Sequence, residues 1–366
     1  MQDTASVLTD QFSDLLARLP AGLDLDRLAL ESKAIQRKRE VVDGATLLRI
    51  ALARGPGGLS LRQTAAWASM LGIAALSNPG VQYRLNQATE FLAALVERLL
   101  AAKAPGAELR WPGRILRLAD GTCVSKPGST GTDWRIHGVF DLGRGGFSHL
   151  ELSDQHGAEG LERGAPVDGE IRIGDRNYAR APVLQRFRAQ SGGKADFIVR
   201  LGWNAMQLAT PAGRAFDLIG YLQCLPPDTS PHEVNLRAHV APGEPALAVR
   251  LIVQRKTPQA AEATRGALRR AAVQKGKQLD PRSLIAAEFM ILATSLPRNG
   301  YSAKAILAVY RLRWQIELAF KRLKSLLHID RLPTHSERGS RSWLYAHLIL
   351  ALLCDDLSQD ILDSSP

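Results

Sequence analysis

Between Arg114 and Gly202 the chain carries a succession of short segments that few folds can accommodate. RILRLAD, TDWRIHGVFDL and GGFSHLELS have strand character and are separated by glycine-rich turns. GEIRIGD then reads as a fourth strand, RAPVLQRFRAQ as a helix and ADFIVRLG as a further strand. Three hairpin-linked strands followed by strand–helix–strand predict an α/β domain.

The flanking regions read differently. Residues 1–104 are expected to be helical, from LTDQFSDLLARL with Thr9 as N-cap, through VVDGATLLRIALA, to two helices around a Gly/Asn/Pro-punctuated turn. That pair reads either as a helix–turn–helix, with Arg62, Gln63, Arg84 and Asn86 turned to DNA, or as part of a small helical bundle. APGAELRWPG (104–113) reads as a linker. Residues 203–283 interrupt the α/β pattern with strands such as EVNLRAHV and ALAVRLIVQRK and a cationic helix, TPQAAEATRGALRRAAVQKGK, which either tracks DNA or is simply solvated. The pattern resumes with FMILATSL and one long helix, SAKAILAVYRLRWQIELAFKRLKSLL. The expected divisions are therefore 1–104, 114–202, 203–283 and 284–366.

The net charge of +11 suits a polyanionic partner without demanding one. Cys123, Cys224 and Cys354 are widely spaced and form no CxxC, which argues against a disulfide framework or a zinc site. The N-terminus has acids where a signal peptide needs cations. WLYAHLILALL (343–353) is too short to span a bilayer. These features predict a soluble, cytoplasmic protein without a membrane segment.

The long helix holds one acid among several cations. At 3.6 residues per turn, Tyr310, Arg313, Glu317 and Lys324 share one narrow arc beside the apolar stripe of Ile316, Phe320, Leu323 and Leu327. The quartet is either a surface ion-pair cluster or a metal ligand set beside phosphate-binding cations. Asp120 and Asp175 each stand where an apolar strand stops, a frequent place for active-site groups, although Asp-Gly at 120–121 also signals a turn. Three convergent carboxylates need cations between them, and Mg²⁺ takes carboxylate and phosphate oxygens. Arg313 and Lys324 would then neutralise DNA phosphates.

Y-x2-R-x3-E-x6-K at 310–324, DGT at 120–122 and DRNY at 175–178 resemble the signature of a large group of bacterial insertion-sequence transposases of the DDE class. TDWRIHGVFDL, FIVRLG and ILATSLP also look like strands of this group, so the likeness covers roughly residues 114–332. It implies an α/β, ribonuclease-H-like core, a mixed sheet with flanking helices, carrying a β-rich insertion between the second and third acids; the helical residues 1–104, which match the group only loosely, are expected to be a DNA-binding domain. The 142 residues from Asp175 to Glu317 (317 − 175) leave room for such an insertion.

By the same resemblance Asp120, Asp175 and Glu317 hold two Mg²⁺, with Mn²⁺ able to substitute, and Tyr310, Arg313 and Lys324 grip terminal DNA phosphates. The implied partners are double-stranded DNA, as terminal inverted repeats and as target, and a second copy of the chain. Arg200 is a further candidate for a phosphate, and Trp203 either stacks on a flipped base, as in some relatives, or belongs to the core. The activity expected is Mg²⁺-dependent cleavage and strand transfer. The competing readings are a nuclease of the same fold that does not join strands, and an inactive DNA-binding repressor. His137 is expected to be a hydrogen-bonded structural histidine or to face the acids, and GRGGF (143–147) to be a hairpin turn.

Overall fold

The computed structural model describes residues 12–102, 111, 113–327, 329 and 332–363. Thr9 and most of the expected linker lie outside them. Six helices come first: α1 (Phe12–Ala17), α2 (Leu25–Glu31), α3 (Gly44–Arg54), α4 (Leu61–Met70), α5 (Asn78–Gln87) and α6 (Thr89–Ala102). Local capping sets several of their starts. Asp43 accepts from the Thr46 amide, and Ser60 and Gln63 form a reciprocal capping box that occupies the Gln63 side chain. The connection between α4 and α5 covers seven residues (71–77), longer than the three- or four-residue turn of a helix–turn–helix.

The sheet begins with β1 (Ile115–Val124), β2 (Trp134–Asp141), β3 (Gly146–Asp154) and β4 (Glu170–Gly174), followed by α7 (Ala181–Gln190) and β5 (Asp196–Arg200). Then come β6 (Leu208–Ala209), α8 (Leu218–Gln223), β7 (His232–Ala238), β8 (Leu247–Arg255), α9 (Pro258–Gln274), α10 (Pro281–Ala286) and β9 (Phe289–Thr294). The chain closes with α11 (Ala303–Tyr310), α12 (Trp314–Leu327) and α13 (Glu337–Asp363). The strand order is β3-β2-β1-β4-β5-β9-β8-β7-β6. β1, β2 and β3 form an antiparallel meander, while β4 and β5 run parallel to β1. That arrangement is the ribonuclease-H-like topology. The strands between 203 and 283 are hydrogen-bonded into the same sheet, because β8 pairs with β9, and β9 with β5.

Alternate residues feed two cores, as period-2 geometry requires. Leu116, Leu118, Ile171, Ile173, Ile198 and Leu292 face the layer built by α11, α12, α13 and the N-terminal helices. Ala119, Phe197, Val199, Leu251 and Ala293 face the layer that includes α7 and α8. The apolar run 343–353 lies in α13, which packs on α3, α5, α6 and β3, so its hydrophobicity is explained by a two-sided burial within the protein. No helix among the described residues is long and apolar enough to cross a membrane.

One buried ionic network ties the strands together at the end where β1 and β4 begin. Glu170 accepts from Arg172 Nε at 2.5 Å and from Arg117 Nη1 at 3.3 Å, and Arg117 also donates to Asp141. Arg172 Nη1 donates to the carbonyls of Leu161, Arg163 and Gly164, which pins the 155–169 loop against the sheet.

Candidate active site

Leu118 and Ile173 are partners in the parallel pairing of β1 and β4. Two residues further along each chain come Asp120 and Asp175 (120 − 118 = 175 − 173), beyond the last paired residues of β4. Neighbouring strands are ~4.8 Å apart, so the two acids begin from adjacent backbone positions at the carboxyl end of a parallel pair. Asp120 does not end its strand. β1 continues to Val124 against β2, with Asp120 opposite Gly138, so the Asp-Gly pair makes no turn here. What ends at this point is only the pairing with β4. Asp175 caps the short 3₁₀ turn Arg176–Tyr178, accepting from the Asn177 amide at 2.7 Å.

Burial pushes the Asp120 carboxyl up to about 6, and the nearby charges of Asp175 and Glu159 add to the rise. The Gly121 amide, 2.8 Å away, and the Arg313 guanidinium act in the opposite sense. Across from these acids lies the break in the long terminal helix. A single continuous helix was expected; instead α11 stops at Tyr310, Arg311–Arg313 form a 3₁₀ turn, and α12 starts at Trp314. Tighter winding here rotates Arg313 relative to a straight α-helix. Tyr310 is buried, its hydroxyl pushed up to about 12 chiefly by that burial, with Arg313, Arg200 and Asp175 as its charged neighbours. Arg313 is half-buried, which works against its charge, but its bond to Glu317 and the fields of Tyr310 and Asp120 raise its pKa overall.

The structure thus brings Asp120, Asp175, Tyr310, Arg313 and Arg200 into one neighbourhood. Glu317 is bonded to Arg313 at 2.5 Å, while its own carboxylate is 52% exposed. Lys324 lies half-buried in the last turn of α12. Ile316 and Phe320 are buried as the stripe predicts; the side chains of Leu323 and Leu327 lie outside the described ones. Trp203 packs partly buried against the second core, its ring 4.4 Å beneath the Arg282 guanidinium and its indole N–H donated to Ser283 Oγ. Arg62 and Arg84 sit on α4 and α5 in the N-terminal layer, and Asn86 lines a small cavity beside α13. His137 is on the sheet face away from α12, bonded to Ser153 Oγ at 2.8 Å and held at about 4, mainly by burial. In α9, Arg265 and Arg269 are answered by Glu262 and Glu288.

Three residues at the site had not been singled out from sequence. Gly138 is required by close approach: a Cβ there would lie 2.7 Å from Phe320 Cζ and 2.8 Å from Phe147 Cε1. A glycine inside a strand was the available signal. Glu159 reaches Asn177 Nδ2 at 3.3 Å and adds to the field on Asp120, yet it comes from a loop with no motif. Lys256, just past β8, donates to the Ala287 carbonyl and Thr264 Oγ1, and burial with the Arg200 charge lowers it to about 8.

Among the described residues, no group of three or more His, Cys, Asp or Glu side chains is placed to hold a metal ion. Asp120 and Asp175 nevertheless suit one: two hard oxygen donors on adjacent strands, one driven towards neutrality by burial and by the other's charge, gain most from a divalent cation.

The sheet order defines a ribonuclease-H-like core, with Asp120 and Asp175 at one end of its parallel pair. The Transposase DDE domain model matches residues 111–353. The chain is 38% identical over 361 residues to the transposase for insertion sequence element IS421 of Escherichia coli, covering 98% of this chain and 96% of that one. It matches the InsL protein of element IS186A of Escherichia coli K12 at 38% over 360 residues, with the same coverage. A solved piggyBac transposase synaptic complex with hairpin DNA aligns with 97% of this chain and 74% of its own at a TM-score of 0.46 and 9% identity, too distant to bear on function. This chain belongs to the DDE transposase family of insertion sequences, enzymes that work with divalent metal ions.

Proposed function

We propose that this transposase binds the terminal inverted repeats of its own element, as a homodimer on the DNA, and moves the element by cut-and-paste in the bacterial cytoplasm. Asp120, Asp175 and Glu317 are its catalytic carboxylates and hold two Mg²⁺, for which Mn²⁺ can substitute. The observation that carries this reading is the placement of Asp120 and Asp175 at one end of adjacent parallel strands, with the Tyr310–Glu317 segment over them. Bound there, the ions supply positive charge for an in-line displacement at phosphorus. Tyr310, Arg313, Lys324 and Arg200 hold the phosphates beside the scissile bond, Arg by a bidentate fork and Lys as a point charge. Burial of Asp120 excludes water from one side of the site and strengthens each of these charges. Residues 1–104 form the DNA-binding part, 114–202 and 284–366 the two parts of the catalytic core, and 203–283 the insertion.

The test is excision of the cognate element from a donor plasmid with Mg²⁺. Asp120→Asn, Asp175→Asn and Glu317→Gln should each abolish excision while duplex binding persists. Normal excision in any of them removes that residue from the ligand set. Cleaved product without insertion joints identifies a nuclease, and full biological function in Asp120→Ala identifies a repressor.

A further inference from the structure

A cleft of about 280 Å³ opens in the N-terminal layer between the segment that follows α2 and helix α5. Lys33, Arg37 and Arg39 line it from one side, and Tyr83, Arg84 and Gln87 from the other. Four cations therefore meet with no acid among the lining residues, and among the described residues none of the four is in an ion pair. In α9, by contrast, Arg265 and Arg269 are answered by glutamates.

The wall is built rather than incidental. Ser32 caps α2, and Lys33 follows with φ 58°, the left-handed position that ends many helices and normally falls to glycine. An L residue pays roughly 1–2 kcal/mol there, yet the position carries a lysine whose side chain lines the cleft. The next two residues anchor the turn: Ala34 and Ile35 are buried, and both amides donate to the Ala29 carbonyl, at 2.9 and 3.2 Å. Gln36 to Glu40 are thereby carried on the outside, all exposed. On the opposite wall Tyr83 is 60% exposed, an aromatic left uncovered beside Arg84.

We infer that this cleft seats the sugar-phosphate backbone of one strand of duplex DNA. The N-terminal helices hold the element through this cleft, with α5 as one wall, and not by inserting α5 as the recognition helix of a helix–turn–helix. Arginine forks and a lysine ammonium match phosphodiester oxygens, and such contacts fix position on a duplex without reading its sequence. The inference rests on the DNA-transposase reading but concerns binding alone.

The test follows anisotropy of a fluorescein-labelled duplex of arbitrary sequence between about 50 and about 200 mM salt, where each phosphate contact contributes roughly 0.9 to the slope of log K against log salt. Arg37→Ala/Arg39→Ala should flatten the slope by about 2 and Lys33→Gly by about 1. Lys33→Gly is the decisive variant, because glycine suits φ 58°: its thermal midpoint should equal or exceed that of the parent while its affinity falls. Unchanged slope and affinity in both variants would overturn the cleft while leaving Asp120-dependent excision intact. If the parent protein neither retains duplex nor excises, it is the transposase reading that fails.

Discussion

Replacing Gly138 by alanine puts one methyl group into the space beneath α12. Gly138 is the β2 residue opposite Asp120, and its missing Cβ leaves room for the Phe320 and Phe147 rings at 2.7 and 2.8 Å. Ordinary carbon–carbon contact begins at ~3.5 Å, so each ring would have to retreat by ~0.8 Å. Phe320 is tilted against Phe147 with centroids 5.3 Å apart, Phe147 meets Phe140 edge-on at 5.5 Å, and all three are buried. Adding a methylene's worth of volume to such a core costs about 1–3 kcal/mol.

The displacement has a chemical consequence, because Glu317 lies one turn before Phe320 on the same helix. A shift of ~1 Å in a positioned group can cost about 100-fold in rate. Gly138→Ala should therefore lower the thermal midpoint and reduce plasmid excision by about 10- to 100-fold, with duplex binding unaffected. Phe320→Leu removes the tip of the ring that the new methyl meets. The double variant should be more stable than the sum of the singles by about 1 kcal/mol, since the residues are in contact. Parental melting and excision in Gly138→Ala, or strict additivity in the cycle, would show that α12 does not rest on β2 through this contact.

Two further outcomes follow from buried charge. Glu170→Gln removes the carboxylate that Arg117 and Arg172 share, and should cost about 3–5 kcal/mol in urea unfolding because the desolvated Arg172 guanidinium loses its partner carboxylate while Arg117 keeps Asp141; a loss under ~1 kcal/mol would mean that solvent reaches the network. His137 is held at about 4 against its ordinary 6.5, so between these values the unfolded chain takes up a proton that the native one refuses. His137 should therefore make stability fall as pH drops through that window, and His137→Gln should flatten the stability profile there; an unchanged profile would place its cause elsewhere.

How much of this was legible follows from which forces are local. The strands of 114–201 could be read because alternation and turn residues are written into neighbouring positions, and the glycine-rich stretch at 143–147 does form a hairpin turn, with Asp141 Oδ1 accepting from the Gly143 and Arg144 amides. Asp120 looked like a strand end because apolar residues stop there, but hydrogen bonds to β2 outlast the apolar run. Only the partner strand, invisible to a local window, tells Asp-Gly in a ladder from Asp-Gly in a turn. The helix break at Arg311–Arg313 is likewise unmarked by proline or glycine. The excess of cations around Glu317 was visible from the start, and its answer is three-dimensional. Arg313 serves two acids at once, Glu317 by a direct bond and Asp120 through its field, so one of those cations answers charge on β1 as well as on its own helix. Glu159 shows the opposite limit: its loop is held by Arg172 from an adjoining strand, so no window of residues around 159 could place it beside Asp120.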